Sequence, residues 1–343
     1  MSGVLGVDIG QTSIKLVVIG GESPGVFSLE NIGESKISFE GSNEKDRSKY
    51  FAGVTSSLKS LMGDLKIRSK QVVASLPESE VISRLVRLPP MKESEIMDAL
   101  RFEAETFVPY PLDEVSIDYE VIEKDDAGRL SIFVIAARND LIQSYVKLFK
   151  SLGLELIALE SPSVAYRRMI KNGIKTVERV IVLDLGEKYT DIFNINKSNV
   201  YFARSIPIGG ESLTRAVSLG LGLDVNSAEE YKKAYGIKET ELEGKIRAAT
   251  LPVFNSITDE VRKAMALFSE DNGGKSVELL ILSGGGANLP GMAEELTKLL
   301  GVEVQVAQPF INIDVSKVTI PFNLNIEGCR FGLAVGLSLR GLV

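Results

Sequence analysis

Three short stretches of this chain carry the residue types that phosphate chemistry uses. Asp8-Ile-Gly10-Gln11-Thr12-Ser13-Ile-Lys15 sets an acid, a glycine, an amide, two hydroxyls and an amine around one turn. Asp184-Leu-Gly186-Glu187-Lys188-Tyr189-Thr190 repeats the Asp-x-Gly opening. Ser283-Gly284-Gly285-Gly286-Ala287-Asn288 offers three glycines and an amide. Glycine lets backbone N–H groups approach phosphate oxygens closely, and hydroxyls and a Lys add donors. Asp8 and Asp184, one at each Asp-x-Gly turn, are candidates to hold a hydrated Mg2+, which prefers oxygen ligands and keeps its waters. Glycine after aspartate is also an ordinary turn signal, and the Gly-Gly-Gly run also reads as a plain strand–helix connection. Neither a GxxxxGK[ST] loop nor a GxGxxG fingerprint occurs in these turns.

Composition narrows the chemistry further. The 343 residues include no His, no Trp and a single Cys, Cys329, with a formal net charge of −7. Without His there is no Ser–His–Asp triad, no Cys–His dyad and no histidine metal site. One Cys excludes an intrachain disulfide and a cysteine-cluster zinc site, and it reads as a small packing residue. The acidic balance, 46 Asp+Glu against 39 Lys+Arg, argues against general affinity for nucleic acid. No apolar run approaches the roughly 20 residues of a membrane span. The segment Met1 to Gly10 meets Asp8 too early for a signal peptide. The expectation is a cytoplasmic protein that reaches a membrane only through a partner.

The elements that position these turns follow from periodicity. Val4 to Gly20 and Val180 to Asn196 each read as a β-hairpin, with β-branched runs flanking the Asp-x-Gly turn. Asp184 lies 176 residues after Asp8, about half the chain, which predicts two related halves facing each other. Between them, Asn43 to Leu65 has helical spacing, and Gln71 to Ser75 and Val81 to Leu88 read as strands, the second apolar on both faces. Lys92 to Phe107 is an amphipathic helix; Val115 to Ile122 and Arg129 to Ala137 are strands joined at Asp125 to Gly128; Asn139 is expected to cap a helix ended by Gly153. In the second half, Val200 to Ile206 and Val277 to Leu282 read as strands. Helices are expected over Glu211 to Gly220, Ser227 to Tyr235, Thr250 to Glu270 and Met292 to Leu300. Asn226 is expected to cap the second of these, with Glu229 completing a capping box and pairing with Lys232 or Lys233. Alternating strands and helices predict α/β layers.

The order and spacing of the three turns resemble the actin-like ATPase superfamily, which includes actin, sugar kinases, chaperone ATPases and the division protein FtsA. That resemblance implies an α/β, ribonuclease H-like fold of two related halves around a nucleotide cleft, with a small α+β insertion in the first half as in FtsA. The implied division is a first core of 1–78 with 156–177 and 328–343, an insertion of 79–155, a second core of 178–222 with 273–327, and a helical subdomain of 223–272. The implied ligands are ATP and Mg2+, held by Asp8, Gly10, Gln11, Thr12, Ser13, Lys15, Asp184, Gly186, Thr190, Gly210, Gly284, Gly285, Gly286 and Asn288. Ala228-Glu229-Glu-Tyr-Lys232-Lys-Ala-Tyr-Gly236 resembles the FtsA-type helix whose Glu and Lys reach the ribose and adenine, here Glu229 and Lys232. Glu187-Lys188-Tyr189 stands where many relatives have a smaller Gly-Gly-Thr turn, with Thr190 left to supply the hydroxyl. Phe331 to Arg340 resembles the closing helix, whose small residues Gly332, Ala334, Gly336 and Ser338 permit close packing.

Within the superfamily, Ser75 to Pro90, Leu100 to Glu105 and Val108-Pro-Tyr-Pro111 resemble the PilM-like branch of type IV pilus machinery. That resemblance implies a partner, the cytoplasmic N-terminus of the membrane protein PilN, gripped between the insertion and the first core. It also implies contact with other inner-membrane platform proteins, the assembly ATPases and copies of itself, no nucleic acid, and hydrolysis that is slow or absent. The alternatives are an FtsA-like filament scaffold and a sugar or acetate kinase of the same fold.

Overall fold

The computed structural model describes residues 3–23, 25–38, 47–174, 177–196 and 199–343. Its two principal sheets share one topology. In the first, β1 (Val4–Ile9), β2 (Ser13–Ser23) and β3 (Val26–Lys36) form an antiparallel meander, and β4 (Gln71–Ser75) and β8 (Glu155–Glu160) extend it in parallel on the β1 side. In the second, β9 (Arg179–Leu185), β10 (Thr190–Asn196) and β11 (Asn199–Ile206) form the meander, and β12 (Leu279–Ser283) and β13 (Glu303–Val306) extend it in parallel. The short strand β14 (Ile313–Asp314) adds to the free edge of β3. The repeat seen in the two Asp-x-Gly hairpins therefore extends to whole five-strand layers. Strands β1 and β9 sit between a hairpin partner and a parallel neighbour with helices on their faces, so their side chains form near-continuous apolar runs. Val180 to Leu183 are fully buried.

A smaller sheet stands apart, with order β5-β7-β6 from β5 (Val81–Leu88), β6 (Val115–Lys124) and β7 (Leu130–Arg138), joined by the turn at Asp125 to Gly128. The helix α2 (Glu93–Ala104) covers one face, where Ile96 and Leu100 meet Val86, Leu88, Ile132 and Val134. The other face, with Leu85, Phe133 and Ile135, packs on Val200, Tyr201 and Ala203 of β11. The two-sided apolar character of Val81 to Leu88 thus has a physical cause: the strand is buried by a helix on one side and by the second half on the other.

Helices α1 (Arg47–Asp64) and α3 (Asn139–Ser151) pack together against the first sheet, while α4 (Pro162–Gly173) and α10 (Gly332–Ser338) lie between the halves. The second half adds α5 (Gly210–Leu221), α6 (Val225–Tyr235), α7 (Lys245–Asp271), α8 (Met292–Leu300) and the single turn α9 (Leu324–Glu327). The start expected for α1, residues 43–46, lies outside the described residues.

Several local expectations are corrected. The expected division puts helix α3 in the insertion, but its buried Leu141, Tyr145, Leu148 and Phe149 join the first core beside Tyr50, Val54 and Leu58 of α1. Asn139 is not its cap; Arg138 is, and the Asn139 amide instead donates to Asp113 O at 3.0 Å. Helix α6 is capped by Asp224, which accepts from the N–H groups of Asn226 and Ser227. Glu229 then falls beyond the first turn, so the expected box with Asn226 does not form. Strands β3 and β8 and helix α4 are further elements, beyond those expected from periodicity.

Small residues of α10 allow the close approach expected of them. A Cβ on Gly336 would overlap the Ala165 carbonyl of α4, and one on Gly6 would overlap the Ala334 carbonyl. Ser338 completes the joint, donating to Val4 O at 2.6 Å and accepting from Ile19 N–H at 2.8 Å.

Candidate functional site

Both Asp-x-Gly turns are built the same way. Gly10 N–H donates to Ser13 O at 2.9 Å, and Gly186 N–H donates to Tyr189 O at 3.0 Å. Asp8 stands opposite Lys15 across the first hairpin, and Asp184 stands opposite Asp191 across the second. The two hairpin tips face each other across a cleft of about 1150 Å3. Tyr50 of α1 braces the first tip, donating to Gly10 O at 3.0 Å. The third turn closes one wall, and Gly284 holds a φ of +81° there. A Cβ on Gly284 would overlap Asp184 Oδ1 and press the Leu185 carbonyl at 2.6 Å, so only glycine fits.

The expected residues converge with one exception. Asp8, Gly10, Gln11, Thr12, Ser13, Lys15, Asp184, Gly186, Gly210, Glu229, Lys232, Gly284, Gly285, Gly286 and Asn288 all line the cleft. Thr190 does not: it is fully buried and spends its hydroxyl proton on Ile208 O at 2.6 Å. Gly210 lines the cleft, but its N–H is already donated to Gly186 O at 2.9 Å, and Glu211 N–H to Glu187 O at 2.8 Å. The N-terminus of α5 is thus tied to the second turn rather than open to a ligand.

Sequence reasoning missed Glu78, Asp191 and Tyr166. Glu78 and Asp191 line the cleft, as do Glu34 and Arg330. The first hairpin is self-compensated, with Lys15 Nζ 3.6 Å from Asp8 Oδ2. In the second, two acids occupy the equivalent cross-strand positions, an unfavourable arrangement for like charges. Burial, with the charge of Asp184 second, pushes the Asp191 carboxyl up to about 8. Burial raises Asp184 to about 6, against the hydrogen bond from the Tyr166 hydroxyl at 2.7 Å. Burial also raises Asp8, and raises Glu78 well above the carboxylate range although Ser161 donates to it at 3.0 Å. No hydrogen bond of acceptable geometry reaches Asp191 Oδ1 or Ser205 Oγ, its opposite residue on β11. The 176-residue echo could have found Asp191, because it matches Lys15; nothing local signals Glu78 or Tyr166.

On the opposite wall Lys232 is buried beside Gly210. Its Nζ lies 3.0 Å from Gly210 O, 2.8 Å from Thr214 Oγ1 and 2.6 Å from Glu229 Oε2. Burial opposes charge on Glu229, but hydrogen bonds from Lys232, Thr214 and Lys233 outweigh it and bring the carboxyl to about 2. Glu229 and Lys232 are therefore a pre-set charged pair. Cys329 is 2% exposed with its Sγ 3.2 Å from Asn288 Oδ1, and burial raises the thiol to about 11, so it packs as an inert small residue.

Two sheets of common topology, with paired Asp-x-Gly tips facing across an inter-half cleft, define an actin-like fold. Among solved structures, MreB5 of Spiroplasma citri bound to AMPPNP shares this fold at 13% identity and a TM-score of 0.56, covering 99% of this chain and 96% of that one. More specifically, the chain belongs to the type IV pilus assembly protein PilM family, whose profile matches residues 6–342. A solved PilM-PilN type IV pilus biogenesis complex is 26% identical, with a TM-score of 0.82 over 99% of both chains. Cell division protein FtsA of Staphylococcus epidermidis is 24% identical over 330 residues, covering 89% of this chain; the chain spans 61% of that relative's length.

Proposed function

We propose that this chain is the nucleotide-binding component of a type IV pilus assembly platform. It holds ATP with Mg2+ in the cleft and grips the cytoplasmic N-terminal segment of PilN between the insertion and the first core. The observation that supports it best is the convergence of both Asp-x-Gly tips, Lys15 and the Gly284–Gly286 turn in a chain of this family. The donor set suits a hydrated magnesium ion. Asp8 and Asp184 flank the cleft, Asp191 is buried beside them, and among the described residues no three acids gather closely enough to chelate a bare ion. Asp8 and Asp184 would hold a hydrated ion through its waters, and the ion would supply positive charge to offset phosphate and the neighbouring buried acids.

Lys15 and the backbone of the two tips bind phosphate, while Glu229 and Lys232 meet the ribose and base. Nucleotide acts chiefly as a conformational ligand, with turnover slow or absent. Binding across two halves favours the closed arrangement by its differential affinity. Among the described residues no helix is long and apolar enough to cross a membrane, and holding PilN supplies the membrane location. The test is calorimetric titration of the PilN N-terminal peptide with and without Mg-ATP. Nucleotide-dependent affinity is the expected result, and equal affinity under both conditions sinks the coupling.

A further inference from the structure

Three consecutive residues of α4 each end on a different part of the molecule. The Tyr166 hydroxyl donates to Asp184 Oδ2 on the second tip at 2.7 Å, with Ser283 Oγ 2.9 Å away as a second possible acceptor. Arg167 Nη1 reaches both carboxylate oxygens of Glu120 on β6 of the insertion, at 2.7 and 2.6 Å. Arg168 is buried against the Glu160 carboxylate and donates to Gly336 O at 2.9 Å, within the first core and its closing helix. Adjacent side chains on a helix always splay about 100° apart. Here each direction ends on a polar partner in a separate body: the cleft, the insertion and the core.

The insertion is also fastened to the second half. Ser83 donates to Ala203 O at 3.2 Å, Asn199 donates to Ile122 O at 3.2 Å, and Arg87 pairs with Asp271 of α7 at 2.5 Å. Ile122 and Phe133 bury Val200 of β11 beneath them. Its own core of Val86, Leu88, Ile96, Leu100, Ile132 and Val134 is self-contained. Against the first core it is packed mainly where the chain enters and leaves, at Val81 and Ala137. A rotation of one half against the other would break the fit of the insertion to one of them, and its larger apolar contact outside its own core is with the second half.

We propose that α4 and the face of β11 form a relay that carries occupancy of the second tip to the insertion, moving it with the second half and against α1. Tyr166 is the positioning residue for Asp184 in this relay. Its single hydroxyl proton has two acceptors within reach, Asp184 and Ser283, so a change at Asp184 changes where that proton is donated. This rests on the nucleotide-binding reading above. A cation and phosphates arriving at Asp184 redistribute its hydrogen bonds. That shifts the tip relative to α4, and Arg167 passes the shift to Glu120.

The test places spin labels in the full chain at Ser60→Cys of α1, Ser94→Cys of α2 and Ser256→Cys of α7, taken in pairs with the buried Cys329 left native. On saturation with Mg-ATP, the Ser60–Ser94 distance is expected to shift by more than about 2 Å while the Ser94–Ser256 distance holds. Glu120→Gln, a surface change that keeps the fold, is expected to leave the affinity for a fluorescent ATP analogue unchanged and to abolish the shift. Tyr166→Phe, which keeps the buried ring, is expected to weaken the analogue about tenfold and to abolish the shift even at saturation, an uncoupling that a merely structural hydroxyl would not produce. The relay is overturned if the analogue binds the native chain and the Ser60–Ser94 distance does not move. It is equally overturned if both variants shift as the native does, or if the insertion holds to Ser60 and moves against Ser256. Failure of the analogue to bind the native chain at all overturns the nucleotide reading, and the relay falls with it.

Discussion

Asp191 shows how one side chain sets a property of the whole cleft. Its carboxyl sits at about 8 and that of Asp184 at about 6, both raised first by burial from an ordinary 3.8. Between those values the folded chain holds protons that the unfolded chain has already lost. Stability is therefore fully present below about pH 4 as far as these groups are concerned, falls as pH rises through 6 and 8, and levels above that. Asp191→Asn keeps the shape and removes the ionisation. It is expected to flatten the decline between pH 6 and 8 and to leave the variant the more stable of the two at pH 8, because the buried group no longer ionises. Urea unfolding of both proteins across that pH range checks this. On the proposed function, Mg-ATP entering the cleft would displace the same protons, so calorimetry at pH 7 in buffers of different ionisation enthalpy is expected to show net proton release. Asp191 was legible from the hairpin echo once register was considered, because it occupies the position of Lys15. Glu78 was not, because only the close approach of β4 to the cleft gives that carboxylate its surroundings.

Among the elements, α10 has little tolerance for added bulk. Gly336 permits backbone approach to α4, Gly6 of β1 permits the approach on the other side, and Ser338 stitches the helix to both β1 and β2. Gly336→Ala is expected to lower stability by about 3 kcal/mol, at the upper end of overpacking costs, because the obstructing atom is the Ala165 carbonyl rather than a mobile side chain. Chemical denaturation followed by circular dichroism measures it. The small-residue pattern of α10 was visible in the sequence, and the packing reading of it holds. By contrast β8 and α4 carried no clear period. Strand β8 alternates exposed and half-buried residues at a sheet edge, and α4 is buried around much of its circumference, with Ser163, Arg168 and Asn172 inside as well as Ala165 and Tyr166. A helix enclosed by two halves has no polar face for periodicity to reveal.

For the molecule as a whole, α4 and α10 pack between the two halves, and the insertion touches both. A ligand that bridges the tips stabilises the closed chain by mass action, by about 2.7 kcal/mol at a concentration one hundred times its dissociation constant. Mg-ATP is therefore expected to raise the thermal unfolding midpoint of the native chain and to leave that of Asp8→Ala unchanged. A differential scanning measurement with and without EDTA separates the contribution of the cation. The exposed Arg87–Asp271 pair contributes at most about 1 kcal/mol, so Asp271→Asn is expected to change stability little. The apolar seam of Ile122, Phe133 and Val200 is what holds the insertion on the second half.

Local order in this chain is written in its residues. The β-branched runs dictate the strands, glycine dictates the tips, and the spacing of the two Asp-x-Gly turns dictates two matching sheets. The absence of His leaves phosphate chemistry to carboxylates, Lys15 and backbone amides. What needed the tertiary structure is everything that depends on which surface ends up against which. Packing turned Thr190 away from the cleft, spent the Gly210 amide on Gly186, moved α3 into the first core and laid the insertion across β11. It brought Tyr166 onto Asp184 from another element, and raised Asp191 by enclosing it with a like charge. Burial and desolvation act only on the assembled chain, so no local pattern could report them.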